Sequence, residues 1–157
     1  MDTGSARVAR GLIDANPYLT LATADRDGRP WASPVWFAHD RYASFYWVSA
    51  PDSRHSRNIA ERAQVAIVIF DSTVPVGSGQ AVYADAEAAQ VGEDELARAI
   101  EVLSRRSEAH GARAWTAADV TGPAALRLYR AVATEHSLVE SAQHPRTALR
   151  LGGDASS

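Results

Sequence analysis

Three runs of β-branched and aromatic residues, set apart only by turn chemistry, constrain this chain more than any other feature. Residues 18–23 read YLTLAT, residues 31–39 read WASPVWFAH and residues 44–49 read SFYWVS. Such runs favour a pleated, half-buried surface. Asp27-Gly28 stands between the first two, and an Asp-Gly pair flanked by apolar runs is a strong hairpin signal. Pro34 restricts its strand to pairing on one side, or to a bulge. A loop at 40–43 leads to the third run, and the three are expected to form an antiparallel meander.

The remaining elements follow from periodicity. Residues 5–16 predict a short amphipathic helix with Val8, Leu12 and Ile13 on its apolar face, ended by Asn16-Pro17. Asp52 and Ser53 offer caps for a helix over 54–62. Residues 63–71 (AQVAIVIFD) read as a strand buried on both faces. Residues 80–91 predict a long, bent strand. Glu93, Asp94 and Glu95 open the clearest helix, whose apolar face is Leu96, Ala99, Ile100 and Leu103; Gly111 stops it. Residues 112–125 carry little pattern, and 126–139 alternate as a last strand. The expectation is a mainly β protein, a six-stranded antiparallel split barrel with short helices. It occupies one domain over 1–150, with a disordered tail at 151–157.

Composition removes several classes of function. The chain has 157 residues and no cysteine, so disulfide frameworks, thiolate metal sites and cysteine nucleophiles are excluded. All 16 basic residues are arginine, which removes lysine Schiff bases and lysine-dependent phosphate loops. A net charge of −3 gives no electrostatic reason for binding nucleic acid or an anionic membrane. No apolar run approaches the roughly 20 residues needed to span a bilayer, and residues 1–16 lack the apolar core of a signal peptide, so a cytoplasmic location is expected. His39 reads as a turn residue and His110 as a helix-terminal cation. His136 and Glu135 point to opposite faces of a strand. No set of histidine and acidic residues has ligand spacing, and no metal is expected.

Chemistry concentrates in residues 49–59, SAPDSRHSRNI. A strand ends in Ser49, turns through Pro51-Asp52 and starts a helix with Ser53, Arg54 and His55. First-turn amides lack internal acceptors, and they lie at the positive end of the helix dipole. Serine hydroxyls and an arginine fork added there suit a phosphate dianion. An ordinary capped helix with solvated arginines is the plainer alternative.

The ordered set SPVWF, a strand ending in serine, SRHSRNI, an apolar strand and GQAVY resembles the pyridoxamine 5′-phosphate oxidase-like family of flavin-binding split barrels. The resemblance runs from about Pro17 to Val91, with weaker support from LRLYRAVATEH near the end. It implies a homodimer holding flavin mononucleotide (FMN) at the subunit interface. The phosphate would meet Ser49, Ser53, Arg54 and His55. The isoalloxazine ring would lie along the backbone of Ser33, Pro34, Val35 and Trp36, with Trp47 and Val48 on the neighbouring strand, and Gln80 would reach the ring or the ribityl chain.

Two positions depart from the family pattern. His55 replaces a common lysine, and His136-Ser137 stand where many relatives place tryptophan. The tail SAQHPRTALRLGGDASS lacks the arginine-rich segment of the vitamin B6 oxidases, so a different small-molecule substrate is expected. The resemblance thus implies a flavin-dependent oxidoreductase. The alternatives are a deazaflavin-dependent reductase, a flavin-binding protein without turnover and a haem-binding member. No side chain identifies itself as a catalytic acid or base.

Overall fold

The computed structural model describes residues 3–143 and 145–152. Helix α1 (Gly4–Ala15) begins at Thr3, whose hydroxyl accepts the Ala6 amide at 3.2 Å, and ends where Pro17 follows. Strands β1 (Tyr18–Ala24) and β2 (Pro30–Trp36) pair in a hairpin, with Gly28 at φ 84° in the turn. Then come β3 (Ala38–Asp40), β4 (Ser44–Ser49), α2 (Arg54–Glu61), β5 (Gln64–Phe70) and β6 (Ala81–Gln90). Helix α3 (Glu93–Ala109), β7 (Arg127–Val139) and β8 (Thr147–Leu149) complete the chain, with one short 3-10 turn at Ala117–Asp119.

All strands are antiparallel and follow the order β2-β1-β5-β6-β7-β4-β3, with β8 also paired to β7. β2 and β4 approach each other without a ladder between them, so the sheet curls into a split barrel. Pro34 behaves as its chemistry requires: β2 pairs with β1 alone.

Three expectations need correction. The strands number eight among the described residues, not six. The run 31–39 breaks at Phe37, whose amide turns back to the Pro17 carbonyl at 3.2 Å, and β3 starts beyond it. This break also ends the expected meander, because β4 pairs with β3 and β7 rather than β2. The other added strand, β8, is three residues long and sets Leu149 opposite His136. Second, β5 is not buried on both faces: Val65, Ile67 and Ile69 are buried, whereas Ala66 and Val68 are half-covered. Third, the expected tail starts too early. Leu151 is 2 % exposed within the core, and its carbonyl accepts from Arg10 at 3.1 Å. Residues 153–157 lie outside the described residues.

Burial divides the apolar side chains into two clusters. The barrel interior joins Leu19, Leu21, Phe37, Phe45, Trp47, Ile67 and Leu138 to Ala9 and Ile13 of α1. A second cluster beneath α3 packs Ala99, Val102 and Leu103 against Ala38, Tyr46 and Leu128. The bend expected in residues 80–91 arises in the partner strand, where Thr134 is an extra residue between Asp85 and Ala86.

Candidate functional site

The split between β2 and β4 holds a cavity of about 290 Å³. Pro34, Val35 and Trp36 of β2, with Val48 and Ser49 of β4, form its floor; His55 closes one end, and Trp115 and Leu126 form a wall. Among the residues proposed from sequence, the structure therefore brings together Pro34, Val35, Trp36, Val48, Ser49 and His55.

The polar end is built by the first turn of α2. Ser53 caps the helix: its hydroxyl accepts the Ser56 amide at 3.4 Å and donates to the Ser56 hydroxyl at 2.8 Å. The Ser53 carbonyl takes the Arg57 amide at 3.0 Å. The Arg54 and His55 amides lie in the turn where helix geometry supplies no internal acceptor. His55 Nε2 lies 2.8 Å from Ser49 Oγ and 3.3 Å from Ser53 Oγ, so one imidazole and two hydroxyls converge. Burial holds the His55 pKa below its ordinary value near 6.5.

Three expected residues sit elsewhere. Arg54 points away from the hydroxyl pair, and its guanidinium carbon lies 4.2 Å from the centroid of the Trp31 ring. It lines a separate, open cleft of about 720 Å³ with Arg29, Arg57, Asn58 and Glu61. Trp47 is fully buried in the barrel, stacked on Tyr129 at 5.9 Å with the ring planes 13° apart. Val48 and Ser49 of the same strand line the pocket instead. The Ser33 side chain is mostly buried, at 9 % exposure, and the resemblance calls on its backbone alone. Gln80 precedes β6 and is not among the residues that line the pocket of its own chain.

Sequence reasoning missed Trp115 and Leu126. Leu126 was readable in principle, because it immediately precedes the strand whose Arg127 lies opposite Ser49. Trp115 sits in a segment without periodicity and carried no signal. His136 stays out of the pocket: it is 8 % exposed, with Nε2 2.7 Å from the Tyr42 carbonyl. Among the described residues, no group of three or more histidine and acidic side chains could hold a metal ion. No helix there is long and apolar enough to cross a membrane.

The donor set fits a phosphorylated ring. The hydroxyls, the imidazole and the helix amides suit a phosphate, and the apolar floor with the Trp36 indole suits a planar system. The cavity, at about 290 Å³, lies just under the roughly 300–1,000 Å³ common for ligand sites.

Comparison with known proteins agrees with this architecture. Residues 6–140 match the family described as pyridoxamine 5′-phosphate oxidase. None of the curated proteins matches the chain. Among solved structures, a heme binding protein from Mycobacterium smegmatis is similar at TM-score 0.73 and 20% identity, over 94% of this chain and 59% of that one. This chain thus spans 59% of that protein's length. HutZ, the heme storage protein from Vibrio cholerae, is similar at TM-score 0.63 and 23% identity, covering 84% of this chain and 91% of its own. A FAD-binding protein from Mesorhizobium loti gives TM-score 0.61 and 21% identity, covering 85% and 93%.

Proposed function

The chain belongs to the pyridoxamine 5′-phosphate oxidase family, and on that footing we propose that it is an FMN-dependent oxidoreductase acting on a small molecule as a cytoplasmic homodimer. One observation carries the reading: Ser49, Ser53 and His55 converge at the first turn of α2, at the end of a pocket floored by Pro34, Val35, Trp36 and Val48. Bound flavin supplies hydride chemistry at its ring.

The chain's own residues bind and orient. The α2 amides and the two hydroxyls hold the phosphate, while the β2 floor fixes the plane of the ring. Arg54 joins them by leaving Trp31, since a charge-assisted bond to phosphate outweighs an exposed cation–π contact. An outer apolar face supports dimerisation. Trp36 lies opposite Tyr18, and Thr20 opposite Val68 brings Tyr18 level with Phe70. Tyr18 and Phe70 are 57 % and 47 % exposed.

The visible spectrum of the purified protein tests the assignment. Oxidised-flavin bands that bleach with NADH or NADPH support it. A Soret band, a deazaflavin band, or no colour after soaking with FMN contradicts it. A flavin spectrum that neither pyridine nucleotide bleaches leaves a carrier in place of an enzyme.

His55 makes the affinity depend on pH. Burial keeps its imidazole neutral in the free protein, and a bound phosphate favours the protonated ring, so binding takes up a proton. Affinity for FMN should therefore fall as pH rises from 6 to 8, by up to about tenfold per unit. His55→Gln should flatten that slope. Fluorescence titration at the two pH values checks both, and equal slopes in the two proteins would contradict the role of His55.

A further inference from the structure

We propose that Trp115 is the specificity-determining residue of this pocket, and that what it selects is a planar, uncharged aromatic ring as substrate. The proposal rests on the reading of the pocket as a redox site and adds the class of molecule that enters it.

The segment between α3 and β7 is held in place by bonds that converge around one indole. The Trp115 amide donates to Ser104 Oγ at 2.8 Å, and that hydroxyl donates back to the Trp115 carbonyl at 3.3 Å. Two residues earlier, the Arg113 carbonyl accepts from Ser107 Oγ at 2.7 Å. The Arg113 guanidinium grips both oxygens of Asp119 at 2.8 and 3.0 Å, and the Thr116 amide and hydroxyl donate to the same carboxylate. Val120, 2 % exposed, anchors the segment in the cluster beneath α3.

These bonds fix the Trp115 backbone from both sides. The Arg113 guanidinium carbon lies 5.4 Å from the centroid of its ring, while the indole lines the pocket. Trp36, the other indole on the pocket, meets the His110 ring edge-on at 6.2 Å. Trp115 is therefore fastened to α3, and Trp36 meets the residue that follows that helix.

Ordering a segment this way costs conformational entropy, and its product is a second indole on the pocket that Trp36 also lines. Indoles present large, rigid area and prefer flat partners. No carboxylate or guanidinium lines the pocket, so a charged ring would find no partner at that end. Trp115 enters from a connection rather than from the sheet floor along which the cofactor ring is proposed to lie. Its own partner is the molecule stacked above that floor.

Isotope-labelled protein carries four indole N–H signals, those of Trp31, Trp36, Trp47 and Trp115. Titrating the FMN-loaded protein with 2-naphthol should move the Trp36 and Trp115 signals and leave Trp47, deep in the core, unmoved. Decahydro-2-naphthol, which has the same outline without the flat ring, should move neither. Trp115→Leu should weaken 2-naphthol binding at least tenfold while changing FMN affinity less than threefold. Trp115→Phe should restore most of the loss, and an unmoved Trp47 signal certifies the fold of each variant. Unchanged naphthol binding in Trp115→Leu overturns the proposal, as does an equal loss of FMN and naphthol, which would make Trp115 a cofactor wall. If FMN fails to bind while naphthol still moves both signals in the free protein, the flavin reading falls and the aromatic wall stands.

Discussion

Replacing Arg54 by alanine should weaken FMN binding about 5- to 30-fold. In the free protein the Arg54 guanidinium rests 4.2 Å above Trp31, a contact worth about 0.5–1 kcal/mol at an exposed site. A charge-assisted bond to phosphate is worth about 1.5–3 kcal/mol. The difference, about 1–2 kcal/mol, both draws Arg54 across the first turn of α2 and sets the loss on its removal. The same arithmetic gives Trp31→Ala the opposite sign, because an arginine already free of the indole binds phosphate a few-fold more tightly. Calorimetric titration of both variants checks the pair of signs. Equal affinity in wild type and Arg54→Ala would show that the guanidinium stays on Trp31.

Trp47→Ala should cost about 3–5 kcal/mol of stability, the range for deleting a large buried aromatic side chain. Trp47 has no exposed surface, stacks on Tyr129 and belongs to the cluster that joins α1 to the barrel. Most single domains hold only about 5–15 kcal/mol in total, so this variant should sit near the edge of folding. Trp47→Phe should behave differently. The indole Nε1 of Trp47 is buried with no hydrogen-bond partner among the described residues, so phenylalanine keeps the stack and removes an orphaned donor. Urea denaturation of the two variants should separate them by more than 2 kcal/mol, with the phenylalanine form within about 1 kcal/mol of wild type. A Trp47→Ala variant as stable as wild type would mean that this indole is not a core residue.

The parts of the molecule written as local pattern were legible in the sequence. β-Branched and aromatic runs mark β1 and β4, a continuous apolar run marks β5, Asp27-Gly28 marks the first hairpin, and Pro34 marks a strand paired on one side. Ser53 is legible as a cap because capping is decided within three residues. What failed to show depends on distant partners. The direction of Arg54 is set by Trp31, 23 positions earlier, and no local rule places one above the other. Trp115 is held through Ser104, one helix away, and its segment has no periodicity to read. β8 is too short to alternate, and it is fixed by pairing with His136–Leu138.

Trp47 is the instructive case. Resemblance placed it in the pocket beside Val48, whereas its side chain is fully buried in the barrel and stacked on Tyr129. At Pro34 to Trp36 the resemblance named a stretch of backbone that lines the cavity, whereas Arg54 and Gln80 do not line it in the single chain.

The phosphate seat at Ser49, Ser53 and His55 is the central claim, and parallel titrations with FMN and riboflavin test it most directly, since the two ligands differ only in that phosphate. Two or three charge-assisted bonds predict FMN affinity at least about 100-fold above that of riboflavin. Equal affinities, with both ligands bound, would show that the ring is recognised and that the α2 corner holds no phosphate.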